Sequence, residues 1–210
     1  MLIWGLIMTD YRKYFFIFFA LTFLLSGCMS YTTLQSPNTL NPGKAILGAG
    51  TALPISDNEV KFYPEINARI GLFNHFDIGA KYSAPSLFFF DGKYQIIEDP
   101  FYLSADLGWS YFSYAGGIAG SKGTFTAWYP MIIAGQDHWY AAVKEVYGET
   151  QGEVDIFGLF KFSSSGWIST NVTVGGIIGT NVRLLPELNF IIPKEGKVLF
   201  VPAFGLQFAL

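Results

Sequence analysis

The sequence predicts an all-β chain, a single antiparallel, up-and-down transmembrane β-barrel of about ten strands, with eight or twelve as the alternatives, preceded by a helical signal peptide. Three observations predict it. Hydrophobic residues recur at every second position through most of the chain. The alternating segments are about as long as the roughly 9–11 residues a tilted strand needs to cross a bilayer. Only 14% of the 210 residues are charged, while 51% are hydrophobic and 18% aromatic. Soluble domains carry about 25% charged residues, so an ordinary soluble enzyme is disfavoured. The single cysteine excludes a disulfide framework, and a formal net charge of −3 gives no reason to expect a nucleic-acid partner.

The first element is a targeting segment, residues 1–27. Arg12 and Lys13 precede the apolar run Tyr14 to Leu25, followed by small residues. That is the layout of a secretory signal, and the run is short of the ~20 apolar residues of a spanning helix. Met8 is a plausible start, because residues 1–7 add nothing to such a signal. The run ends in Leu25-Ser26-Gly27-Cys28, which holds the only cysteine of the chain. This resembles the lipobox of bacterial lipoproteins. The resemblance implies that Cys28 carries a lipid and that the lipoprotein-sorting machinery handles the chain. Met29 and Ser30 lack the Asp that marks retention at the inner membrane in that family, so the implied address is the outer membrane.

Residues 28–43 come next, rich in Ser, Thr, Asn, Pro and Gly. They read as a lipidated tether. At roughly 3.3 Å per residue such a tether reaches about 50 Å, ample to join a lipid in the periplasmic leaflet to a barrel formed by residues 44–210.

The strands follow in order. Ile66, Ala68, Ile70 and Leu72 alternate with Glu65, Asn67, Arg69 and Gly71, and a tight turn at 73–76 returns the chain through Ile78, Ala80 and Tyr82 against Asp77, Gly79 and Lys81. So short a turn makes an antiparallel hairpin. The pattern recurs over 88–96, 101–111 and 182–191. Its clearest instance is the last, where Phe200, Phe204, Leu206 and Phe208 oppose Val201, Ala203, Gly205 and Gln207. That final segment resembles the C-terminal strand by which bacterial outer-membrane β-barrels are recognised for assembly, with Leu210 in place of the usual terminal aromatic. The resemblance implies the barrel-assembly machinery and outer-membrane lipid as partners. Residues 155–163 are read as the outer extension of a long hairpin. Pro64, Pro186 and Pro202 fall inside strands and are expected at bulges or local gaps, since proline cannot donate to the ladder.

Periodicity alone does not say which face is inside, because a soluble barrel alternates in the same way. Four features favour the apolar face outward. The polar face mixes small residues with both charge signs. Aromatics such as Phe73, Phe76, Tyr82, Phe101, Trp109, Tyr111, Trp139 and Tyr147 gather toward segment ends, as an interfacial girdle requires. Short connections at 73–76, 98–100, 135–137 and 179–181 alternate with mostly longer ones. Both ends of the barrel then fall on the short-turn, periplasmic side.

The lumen charges expected from this assignment are Glu65, Arg69, Asp77, Lys81, Asp91, Lys93, Asp106, Arg183 and Glu187, nearly balanced and read as a salt-bridged network that leaves a polar, almost closed interior. The repeats Pro64-Glu65-Ile66-Asn67 and Pro186-Glu187-Leu188-Asn189 each place a carboxylate and an amide on the lumen face.

Candidate chemistry is sparse. His75 and His138 are read as turn residues. Ser163-Ser164-Ser165 has no histidine predicted within reach. The glycine-rich run 116–124 fails the phosphate-loop spacing. No His/Cys cluster suits a metal, Glu149, Glu153 and Asp155 lack the regularity of a calcium loop, and no cofactor is expected.

The reading is therefore a lipid-anchored outer-membrane barrel, not an enzyme, with a structural, surface-interaction or minor small-solute permeability role. A soluble, lipocalin-like lipoprotein binding small apolar ligands and an outer-membrane lipid or peptide hydrolase are the rivals. The oligomeric state is not indicated.

Overall fold

In a computed structural model of the chain, residues 32–56, 59–83, 87–115, 122–151, 154–156, 160–162 and 165–210 are described. The signal peptide, Cys28, most of the glycine-rich run, Glu153, Ser163 and Ser164 lie outside them. The strands are β1 (Ala45–Ala52), β2 (Ile55–Ser56), β3 (Glu59–Val60), β4 (Tyr63–Phe73), β5 (Phe76–Ser83), β6 (Leu87–Ile97) and β7 (Tyr102–Ala115), then β8 (Lys122–Gln136), β9 (Trp139–Gln151), β10 (Val154–Ile156), β11 (Phe160–Phe162), β12 (Gly166–Gly176), β13 (Val182–Pro193) and β14 (Leu199–Ala209).

Ten of them form the wall. Each of β1, β4–β9 and β12–β14 pairs antiparallel with the next, and β14 returns to β1 from Ile46↔Ala209 to Ala52↔Ala203, which closes the sheet. The β2–β3 hairpin adds to β14 through Ile55↔Phe200. The β10–β11 hairpin forms a separate two-stranded sheet between β9 and β12, the extension expected of residues 155–163. Tight turns and both barrel termini share one end, where the Leu210 amide donates to the Ala45 carbonyl at 2.8 Å. We call it the turn end and the opposite one the loop end.

Side-chain polarity is the reverse of a soluble protein's. Among the described residues 34 large hydrophobic side chains are exposed, including Ile66, Leu107, Trp128 and Leu188, whereas Asp77, Ser104, Lys93 and Asn189 are buried. Burying one such apolar side chain contributes about 1.5–3 kcal/mol. So many left outward therefore demand hydrocarbon as the surrounding solvent, which the wall tolerates because closure pairs its backbone internally and leaves no open edge. A soluble, lipocalin-like barrel needs that face inward, and the chain turns it outward. One course of the outer wall is aromatic over five neighbouring strands, with Phe90, Trp109, Trp128, Tyr147 and Trp167 paired in direct succession.

The strand prolines occupy gaps rather than bulges. Register shifts occur at Gly71/Phe73, Gln95/Ile97 and Trp167/Ser169, away from all three. Pro64 lies one residue beyond the last β4–β5 pair (Glu65↔Ser83), Pro186 one beyond the last β12–β13 pair (Gly175↔Glu187), and Pro202 one beyond the last β1–β14 pair (Ala52↔Ala203). The ladder is interrupted at these prolines, which have no N–H to donate: the β12–β13 register resumes past Pro186 at Ile178↔Leu184, and the Leu53 amide still donates to the Pro202 carbonyl at 2.8 Å.

The inside–outside assignment predicts that Leu107→Arg, on the outer face, costs about 2–4 kcal/mol near the bilayer midplane, and that Glu195→Arg in an exposed loop is close to neutral. Urea unfolding of the folded barrel in vesicles, followed by gel mobility, reads the difference; equal loss in the two variants contradicts the assignment. Ser104, on the lumen face, has no room for an Arg, because it is fully buried and its hydroxyl donates to the Pro37 carbonyl.

Candidate functional site: a lumen filled by the N-terminal segment

The lumen face of β4–β7 assembles an ion cluster. Ladder register sets Arg69 opposite Gly79, Gly79 opposite Asp91, and Asp91 opposite Gly108. The Arg69 guanidinium reaches across the bare Gly79 to pair with Asp77 and Asp91, and lies 3.6 Å from Asp106. A Cβ on Gly79 would stand 2.6 Å from Arg69 Nη2 and 2.8 Å from the Asp91 carboxylate, so any larger residue would push these two side chains out of their present pairing. Lys93 Nζ is 3.6 Å from Asp77 and Lys81 Nζ 3.6 Å from Glu65. Charges this deep are tolerated only when paired and hydrogen-bonded.

Their second set of partners is peptide. Residues 32–40, expected as part of a free tether outside the barrel, run through its interior, and Thr32 to Pro37 are buried. The Leu40 amide donates to Asp77 at 2.9 Å, and the Thr39 amide and hydroxyl donate to Gln95 at 2.9 and 2.8 Å. Lys93 donates to the carbonyls of Ser36 (2.8 Å) and Asn38 (2.9 Å), and Gln35 Nε2 donates to Asp106 at 2.9 Å. Higher up, Glu187 accepts from the Thr33 and Leu34 amides and from the Tyr140 hydroxyl, while Gln207 donates to the Leu34 carbonyl at 2.8 Å. At the top Thr32 donates to Glu65 and accepts from Lys81 at its hydroxyl (3.0 Å), and its carbonyl accepts from Lys81 (3.1 Å) and Lys144 (3.3 Å). The partners climb steadily from Asp77, beside the first tight turn, toward the loop end. The segment therefore enters at the turn end and ascends. Its physical logic is that a segment outside any helix or sheet must satisfy its backbone with side chains, and the lumen provides them.

Leu34 is the apolar anchor. It is 2% exposed and fills a hole made by the paired glycines Gly50 and Gly205. A Cβ on Gly205 would lie 2.8 Å from Leu34 Cδ2, and one on Gly50 2.5 Å from its Cδ1. Gly205→Val should therefore destabilise the folded barrel by about 1–3 kcal/mol through overpacking, and Leu34→Ala in the same chain should recover part of the loss. A double-mutant cycle on urea midpoints checks it, and simple additivity would show that the two sites do not touch.

Above Thr32 the lumen turns apolar. Phe89, Phe112, Phe125, Ala127, Tyr129, Val146, Ile168, Ile191 and Val201 form one buried cluster, with the Phe89 and Tyr129 rings 5.0 Å apart. Beside residues 32–35 a space of about 20 Å³ remains, room for about one water. A larger recess of about 440 Å³ opens at the turn end between Asn38, Lys44, Asn181, Arg183 and Leu210.

Of the nine lumen charges expected from sequence, seven join the ion pairs: Glu65, Arg69, Asp77, Lys81, Asp91, Lys93 and Asp106. Glu187 holds the internal segment instead, and Arg183 sits at the turn-end mouth, donating to the Thr180 carbonyl at 2.9 Å. Two residues escaped the sequence reading. Lys144 is buried in the lumen, and its parity with Tyr140, Ala142 and Val146 could have revealed it. Glu145, next to it, faces outward among apolar neighbours, where it accepts from Trp167 Nε1 (2.6 Å) and the Thr170 hydroxyl (2.9 Å).

Both histidines lie in turns at the turn end. His75 has φ 63°, a turn conformation, and its Nδ1 is 3.4 Å from Glu98; His138 is exposed. Ser165 is exposed at the opposite end, beyond reach of either. Among the described residues no three His, Cys, Asp or Glu side chains group as metal ligands.

A closed antiparallel barrel with an apolar exterior and a polar, occupied lumen defines a membrane-spanning β-barrel protein. Among solved structures the chain is similar to the N-terminal β-barrel domain of OprF from Pseudomonas aeruginosa, at 9% identity over 81% of this chain and 100% of that one, with a TM-score of 0.31. It is also similar to an outer membrane channel from Pseudomonas putida F1, at 8% identity over 85% of this chain and 100% of that one, TM-score 0.44, and to Neisserial surface protein A, at 13% over 79% and 95%, TM-score 0.28. No protein-family model and no curated protein matches. The architecture rests on the chain's own register and polarity.

Proposed function

We propose that the chain is a lipid-anchored outer-membrane β-barrel of a bacterium, not an enzyme, whose role is structural or surface-interacting, with its lumen sealed by its own N-terminal segment. The observation that carries this reading is the internal segment itself. It takes up the carboxylates, lysines and amides that would otherwise line an aqueous path. The small-solute permeability role falls second to it. The tight turns and both barrel termini belong on the periplasmic side, and the longer loops outside, as is usual for such barrels. Outer-membrane lipid, the barrel-assembly machinery and the lipoprotein-sorting machinery are the partners this reading requires. A hydrolase is disfavoured by the placement of His75 and His138 in periplasmic turns, away from outer-leaflet lipid.

Membrane separation tests the proposal. The expected result is a chain in the dense outer-membrane fraction that resists carbonate and urea, migrates faster before boiling than after, and carries labelled palmitate lost in Cys28→Ser. A chain released by carbonate, with mobility unchanged by boiling, would overturn the barrel reading. Palmitate retained in Cys28→Ser, or never incorporated, would overturn the anchor alone.

A further inference from the structure

The internal segment climbs, and its direction decides where the N-terminus emerges. Thr32 is bonded to Glu65 and Lys81, each two residues below the loop-end limit of its strand, Tyr63 in β4 and Ser83 in β5. Two residues of strand are roughly 7 Å. Cys28 lies four residues before Thr32, a reach of about 13 Å at roughly 3.3 Å per residue. Returning to the turn end would require passing back through a lumen that Thr33 to Leu40 already occupy, with a space of about 20 Å³ beside them. The reach upward, by contrast, exceeds the distance to the rim on the β4–β6 side. The described strands stop low there. Leu87 begins β6 level with Phe112 of β7, while β7 and β8 continue past that level to the pair Ala115↔Lys122. Just below this low rim the outer wall carries Tyr82 and Phe88, rings 5.1 Å apart, of the aromatic type that sits at a membrane interface.

We propose that the mature N-terminus threads the barrel and crosses the low β5–β6 rim, so that the lipid on Cys28 is seated in the surface-side leaflet beside Tyr82 and Phe88 rather than in the periplasmic leaflet. The proposal rests on the lipid-anchor reading for the lipid and on the internal segment alone for the threading.

Photo-crosslinking in whole cells tests it, with benzoylphenylalanine placed at Tyr82, at Phe88, or at Trp139 on the turn-end rim, each variant first checked for heat-modifiable mobility. The expected result is the N-terminal peptide, acylated at Cys28, captured at positions 82 or 88 and not at 139. Capture at 139 alone, or at none of the three, overturns the threading. Capture at 82 or 88 of a peptide without acyl chains keeps the threading, overturns the lipid placement and identifies the anchor reading as the part that failed.

Discussion

Replacing residues 32–40 with a Gly/Ser run of equal length is expected to turn a silent barrel into a conducting one. In the native chain that segment meets the wall through Asp77, Lys93, Gln95, Asp106, Glu187, Glu65 and Lys144, and Leu34 is wedged against Gly50 and Gly205. A Gly/Ser run keeps the covalent connection and the backbone donors and acceptors, but it removes the Leu34 anchor, the Gln35–Asp106 bond and the Thr32 and Thr39 hydroxyl bonds, and glycine raises the entropy gained on release. Hydrogen bonds to charged groups contribute about 1.5–3 kcal/mol each and a buried Leu side chain about as much, so losing the Thr32 and Gln35 bonds together with Leu34 should release the segment from the lumen. Planar-bilayer recording of purified native and replaced chains reads the outcome, with heat-modifiable mobility confirming that both have folded. Steady openings are expected only in the replaced chain. They should be smaller than those of barrels with 16–18 strands, because ten strands enclose a narrower interior. A native chain that conducts as well as the replaced one would show that the segment does not seal the lumen.

Arg69→Met should be the most damaging single substitution in the wall. The guanidinium is the common partner of Asp77, Asp91 and Asp106, which stand on three successive strands. Removing one partner of a buried ion pair costs about 3–5 kcal/mol, because an uncompensated charge remains. Here three carboxylates would be left with Lys93, 3.6 Å from Asp77, as their remaining described ion-pair partner. Adding Asp91→Asn should recover a large part of the loss, since it removes the carboxylate whose recorded salt bridge is with Arg69 alone. Arg69→Lys should fall between native and Arg69→Met, keeping the charge and losing the two-pronged geometry. Urea midpoints of the four chains decide the matter. Equal destabilisation of Arg69→Met with and without Asp91→Asn would show that packing, not charge, sets the cost.

The wall was legible in the sequence because a strand's side chains alternate faces, so a period of two carries both the strand and its polarity. That rule placed Ile66 and Leu107 outward and Asp77, Asp106 and Glu187 inward, and the twin Pro-Glu-Φ-Asn segments were recognisable as a matched pair. It did not say what they match. Glu65 and Glu187 grip Thr32, Thr33 and Leu34 from β4 and β13, and nothing local marks two carboxylates 122 positions apart as grips on a third segment.

What the sequence determined by itself was a barrel of about ten strands, its apolar face outward, and most of the lumen charges, Lys144 being missed. All three follow from local alternation and turn chemistry. The tertiary structure alone decided the fate of residues 32–40. Ser, Thr, Gln and Asn suit a segment solvated by water and one solvated by lumen side chains equally well, because both environments satisfy the same backbone donors and acceptors. Only closing the barrel around those residues distinguishes a tether from a plug.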